Sequence, residues 1–174
     1  MKHFIFLAAV AMLLTSCHHA AEVPLETDFP IVKTFTPEAI EIDKNDTELV
    51  EKCISFNDRQ FVIRSREEFP DDMFGFTSDY TDINFELYTL IVTYDFTRVI
   101  PSFTDFRYYR NNEEKQYNLV VHQYLRQSDL DNSSSDPDSF IRYFRRYAVI
   151  VRKNPTSDPV KVWFSYSTDY WTDS

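Results

Sequence analysis

With 174 residues, a formal net charge of -10 and one glycine, the chain has the size of a single domain with a substantial core. Its excess of acids argues against nucleic acid as a partner, because phosphate binding needs a basic face. A P-loop, a dinucleotide fingerprint and a Gly-x-Ser-x-Gly elbow each need glycines that Gly75 alone does not supply, so no nucleotide site of those kinds is expected.

In chain order, Lys2 precedes an apolar run from Phe4 to Leu14, which at 11 residues falls short of the roughly 20 that a spanning helix needs. The run ends in Leu14-Thr15-Ser16-Cys17, and these features together resemble the lipobox signal peptide of bacterial lipoproteins. The resemblance implies cleavage before Cys17, lipidation of that cysteine, and a membrane anchor of acyl chains such as palmitate. Such chains contribute about 0.8 kcal/mol per buried methylene. It implies the envelope of a Gram-negative bacterium, with the outer membrane preferred to the inner and the periplasmic or surface face left open. The expected organisation is a signal peptide over 1–16, a flexible tether over 17–34 and a single β-rich globular domain over 35–174. Without residues 1–16 the chain carries 17 basic and 28 acidic side chains, a net charge of -11.

Thr36-Pro37-Glu38 has the form of a helix start, yet Ile40 and Ile42 alternate with acids, so helix and strand stay equally open. Asn45 with Glu48 three residues later predicts a short helix through Lys52, before a turn at Asn57-Asp58. Gln60 to Arg64 reads as a strand. Ser65-Arg66-Glu67-Glu68 fits a capping box, and Pro70 ends that helix after about one turn. Leu87 to Phe96 is dense in β-branched and aromatic residues and predicts a central strand. Further strands are expected near Phe103 to Tyr109 and over Gln116 to Arg126, joined by a turn at Asn111 to Glu114. In the second of these strands Tyr117, Leu119, Val121 and Leu125 share a face. Gln127 to Asp138 reads as a solvated loop: Asp129, Asp131, Ser133 and Ser135 start a calcium-loop pattern that fails at Ser134 and Phe140. Asp136-Pro137 predicts a helix start with Arg145 and Arg146 near its end. Tyr147 to Arg152 and Val160 to Ser167 are then expected to form a hairpin, with Val160, Val162, Phe164 and Tyr166 on one face and Lys161, Trp163, Ser165 and Ser167 on the other.

These elements predict an α+β fold, a single domain of mainly antiparallel β-sheet with two or three short helices. From Arg59 to Lys153 the order of elements resembles small lipid-anchored accessory subunits of bacterial protease complexes. The points of likeness are Phe61-Val-Ile-Arg-Ser-Arg-Glu-Glu-Phe69, Leu90-Ile-Val92 with Asp82 upstream, and Tyr147-Ala-Val-Ile-Val151. The chain lacks the Gly-Tyr step those families carry between strands, so the likeness implies a fold more than a role.

Few residues offer chemistry. His122 is the only histidine of the body, too few for a histidine-based zinc site, and a Ser-His-Asp triad would have to use it. Its alternating neighbours predict an ordinary strand position. With Cys17 acylated, Cys53 has no disulfide partner, and Ile54 and Phe56 predict a buried, inert thiol. No catalytic residue, metal or cofactor is expected. Residues 17–97 carry a net charge of -12 and residues 98–153 one of +3. Arg142, Arg145 and Arg146 beside aromatic residues are candidates for receiving an acidic partner, with a solvated arginine face as the ordinary alternative. Trp163 lies on the polar parity of its strand and is a candidate stacking platform or protein hot spot. Packing under a helix is the competing expectation, because Ala148 and Ile150 oppose Val149 and Val151 in parity. The tail residues Tyr170 and Trp171 are as readily core edge as ligand contact. The expected role is an envelope binding or accessory protein with a protein partner; a glycan-binding module is the alternative, and a carboxylate-based hydrolase a third.

Overall fold

Tyr88–Thr97 (β5) and Tyr143–Arg152 (β8) are apolar on both parities. Successive side chains of a strand point to opposite faces, so such strands need cover on both sides. The computed structural model describes residues 24–43, 45–57, 59–70, 73, 80, 82–134 and 143–169. In it the two strands pair antiparallel along their whole length, from Tyr88 opposite Arg152 to Thr97 opposite Tyr143.

They form the middle of a five-stranded sheet. Gln60–Ile63 (β4) flanks β5, while Ile31–Thr34 (β2) and Glu38–Glu41 (β3) follow each other along the far edge of β8. The other sheet has four strands: Glu26–Asp28 (β1), Phe103–Asn111 (β6), Gln116–Arg126 (β7) and Val160–Asp169 (β9), in the order β1-β6-β7-β9. One core fills the space between the sheets, where Ile91, Tyr147, Val149 and Val151 meet Tyr108, Tyr117, Leu119, Val121 and Val160. A second core covers the opposite face of the five-stranded sheet: Leu90, Val92, Tyr94, Phe144 and Ile150 pack with Cys53 and Phe56 of the helix Thr47–Phe56 (α1). The architecture is therefore mainly β-sheet with few short helices, and the five-stranded sheet is its middle layer.

Several local expectations hold in modified form. The helix starts on Asp46, whose carboxylate accepts from the Leu49 N–H at 3.0 Å, and it continues past Lys52 to Phe56. The open question over residues 38–41 resolves to strand. At Arg66–Glu68 a 3-10 turn forms, but Ser65 makes no side-chain cap; Glu68 instead accepts from the Arg64 N–H at 2.6 Å. Residues 112–115 turn between β6 and β7 with Lys115 at a φ of 51°, the left-handed region that glycine or asparagine more often fills.

Four expectations are corrected. The tether does not extend to residue 34: β1 and β2 pair into different sheets, and Phe29 between them sets its ring against Tyr117 (5.4 Å) and Tyr108 (6.4 Å) in the inter-sheet core. The hairpin of residues 147–167 does not form. β9 pairs parallel with β7 over ten residues, and the segment 153–159 crosses from one sheet to the other. Residues 143–146 are strand and not the end of a helix, because they continue the β5 ladder and also pair with β3. Gln127–Ser134 is a helix (α2) and not a loop, with Gln127 donating to Asp131 one turn on at 2.7 Å. Cys17, Gly75, the proposed start at Asp136-Pro137, Arg142, Tyr170 and Trp171 lie outside the described residues.

Candidate binding face

The outer face of the four-stranded sheet is set by alternation. Because Trp163 has the parity opposite to the buried Val160, it points away from the core and is 51% exposed. Its ladder neighbour is Val120, and next along the strands His122 stands opposite Ser165 and Tyr124 opposite Ser167. On the other side of β7, Phe103 pairs with Tyr124 and Asp105 with His122. The packing expectation for Trp163 is thus overturned: the helix α1 packs on the other sheet, and half of the Trp163 surface stays open.

The face is fixed by hydrogen bonds within it. Trp163 donates its indole N–H to Asn118 Oδ1 at 2.8 Å, and Gln116 donates to the same oxygen at 2.7 Å. Asn118 is almost wholly covered, while Trp163 keeps about half of its surface open with its donor satisfied. Lys161 Nζ sits 5.8 Å from the ring centroid. His122 bonds Ser165 Oγ through Nδ1 at 3.1 Å and Ser167 Oγ through Nε2 at 3.0 Å. Its ring meets Tyr124 at 4.4 Å, and Tyr124 meets Phe103 at 5.5 Å, which continues the aromatic surface. In a Ser-His-Asp triad one ring nitrogen faces the nucleophile and the other a carboxylate. Here serine hydroxyls occupy both. The face can stack and hydrogen-bond.

The other sequence candidates do not join this face. Arg145 and Arg146 are only 4% and 8% exposed, since their strand is the middle of the middle layer. Neither is a solvated face or an open binding surface, which corrects both readings. Arg146 pairs with Glu38 at 2.6 Å and lies over the Tyr80 ring, whereas Arg145 lies over the Tyr147 ring. Burial lowers the Arg145 pKa, against the nearby Tyr147 and Asp95. Cys53 is fully buried, and that burial raises its thiol pKa; Phe56 shares the core, while Ile54 points to solvent.

Sequence reading missed a polar group between the sheets. Asp95 Oδ2 accepts from Gln123 Nε2 at 2.9 Å and from the Tyr166 hydroxyl at 2.6 Å, and Arg145 stands opposite Asp95 in the ladder. Nearby, Arg145 Nε and Nη1, the Tyr147 hydroxyl, Thr97 Oγ1 and Gln123 Oε1 have no hydrogen-bond partner among the described residues. A signal was present: Asp95 is the one charged residue in the apolar run 88–97. Elsewhere, an open groove of about 830 Å³ mixes Arg64, Arg66 and Lys153 with Glu67, Asp82 and Glu86.

Among the described residues there is no group of three or more acids, histidines or cysteines placed to hold a metal. No helix among them is long and apolar enough to cross a membrane. Comparison of the chain with known protein families, with characterised proteins and with solved structures finds no match.

Proposed function

We propose that this chain is a lipid-anchored binding or accessory protein of a Gram-negative cell envelope, held by acylated Cys17 and engaging a protein partner through the outer face of the four-stranded sheet. The observation that carries the reading is the open, immobilised indole of Trp163. A ring already fixed by Asn118 loses little freedom on binding, and tryptophan is prominent among interface residues whose truncation costs most. Tyr124 and Phe103 extend the contact area. The anchor reading draws its support from Leu14-Thr15-Ser16-Cys17 and the apolar run before it.

A glycan ligand is the second reading, favoured by the interleaving of rings with serine hydroxyls and the Lys161 ammonium on one flat face. Affinity capture from membranes with wild type and Trp163→Ala separates the two. A protein cross-linked to wild type and absent from the variant supports the first reading. Saturable binding of purified envelope polysaccharide, abolished in the variant, with no protein captured, replaces it with the second. Cys17→Ala tests the anchor: its retention in the membrane fraction after a high-salt wash contradicts lipid attachment.

A further inference from the structure

β9 is the outermost strand of its sheet, and its main chain faces alternately toward β7 and away from it. Pro159 turns its carbonyl to β7, where it accepts from the Tyr117 N–H at 2.8 Å. Even-numbered positions turn the other way: Gln60, at the start of β4, donates from Nε2 to the Val160 carbonyl at 2.9 Å, and its Oε1 accepts from the Val162 N–H at 3.0 Å. A side-chain amide thus stands where the peptide group of a further strand would stand. By the same alternation Phe164, Tyr166 and Thr168 present their main-chain groups to this edge. Among the described residues no hydrogen bond from another element reaches the main chain of Phe164 or Thr168.

Sheet edges are ordinarily blunted by proline, charge or cover. Pro159, Lys161 and Gln60 do this for the first part of β9, whereas Phe164 to Thr168 holds neither a proline nor a charge. The opposite edge of the sheet differs: β1 covers the end of β6, and Asp105 and Arg107 stand on the remainder. Lys161 makes no ion pair among the described residues, and its ammonium beside the Trp163 ring sets an unmet positive charge at one end of the open stretch.

We infer that the stretch Phe164 to Thr168 takes an extended segment of a protein partner as a fifth, antiparallel strand, with a carboxylate of that segment at the Lys161 end. The inference rests on the protein-partner reading above and names how the partner is held. A strand added here lies beside Trp163 and Ser165 on the outer face and beside Phe164 and the half-exposed Tyr166 on the inner one, so polar and apolar side chains alternate along it. A second copy of the chain is the poorer occupant, because two chains of net charge -10 repel each other.

NMR titration and amide exchange of the isotopically labelled full chain test this with the capped peptide acetyl-Val-Thr-Val-Thr-Val-Glu-amide. Its valines then lie opposite Thr168, Tyr166 and Phe164, and its glutamate lies opposite Trp163, diagonal to Lys161. Saturable shifts are expected at Phe164, Thr168 and the Trp163 indole, with slower exchange of the Phe164 and Thr168 amides. N-Methylation of the valines, whose peptide groups face β9, weakens binding by about tenfold or more, while N-methylation of the threonines, which face away, leaves it intact. Lysine in place of the glutamate weakens it by about two- to fivefold. Equal binding of the two N-methylated peptides overturns strand addition, and so does the absence of saturable shifts with every peptide. Protection of Phe164 and Thr168 that rises with protein concentration alone, together with a dimer in sedimentation, gives the edge to a second copy and overturns the partner assignment. Capture of a membrane protein that depends on Trp163, in a complex whose Phe164 and Thr168 amides still exchange fast, keeps the binding face and removes the edge alone.

Discussion

Trp163 and Asn118 are tied across the β7–β9 ladder: the indole N–H donates at 2.8 Å to the amide oxygen of an almost wholly covered residue. The ring is therefore held without being buried. Trp163→Ala is expected to cost about 1 kcal/mol of stability, the scale of one hydrogen bond, as measured by urea unfolding. Partner binding should weaken by about 2 kcal/mol or more. A stability loss on the scale of a truncated core tryptophan, about 3–5 kcal/mol, would show that the residue holds the fold and leave the binding face without its anchor.

Phe29 reports on how the N-terminal segment joins the body. Its ring packs edge-on against Tyr108 and Tyr117, which are themselves stacked at 5.7 Å, and its N–H donates to the Tyr108 carbonyl at 2.8 Å. Phe29→Ala is expected to destabilise by about 2 kcal/mol, less than a fully buried phenylalanine. A midpoint of chemical unfolding unchanged from wild type would return residues 26–34 to the tether.

Cys53 is expected to behave as a packing residue. Burial raises its thiol pKa, so the protonated form is favoured in the folded state. Stability from this group is full below the unfolded thiol value and declines as pH rises through the folded one. A thiol reagent at neutral pH should label native protein slowly and unfolded protein fast, and Cys53→Ser should cost about 1–3 kcal/mol. Fast native labelling would contradict the burial.

Tyr108 and Tyr147 are expected to make the fold sensitive to alkali. Burial is the main cause that raises both phenol pKa values; Asn154 partly offsets it for Tyr108 and the nearby Arg145 for Tyr147. Above the unfolded tyrosine value of about 10, the unfolded chain loses these protons first and the folded state keeps them. Stability should then fall by about 1.4 kcal/mol per pH unit for each tyrosine. Tyr147→Phe should remove about half of that slope in urea titrations and cost little at neutral pH, because the hydroxyl has no partner among the described residues. An alkaline slope identical to wild type would contradict the assignment to Tyr147.

The sequence by itself determined the elements whose cause is local. Residues 88–97 and 116–126 read as strands because β-branched and aromatic side chains run there without a breaker, and the parity of Val160, Val162 and Phe164 against Lys161 and Trp163 follows from alternation alone. Asn45 and Glu48 likewise announce a helix that begins within a residue or two of where it does, although the cap is Asp46. Tertiary structure decided which strands become neighbours. The segment 153–159, with Pro155 and Pro159, serves a hairpin or a crossing between sheets equally well, and the apolar faces of β7 and β9 chose the crossing by sharing one core. The same choice made β8 a middle strand, which buried Arg145 and Arg146 although their sequence neighbourhood reads as a basic helix end. It also drew residues 26–34 into both sheets and set Asp95, Gln123 and Tyr166 together, over separations of 28 and 71 residues in the chain. Propensity and periodicity act between residues a few positions apart, whereas burial depends on which distant surface arrives to exclude water.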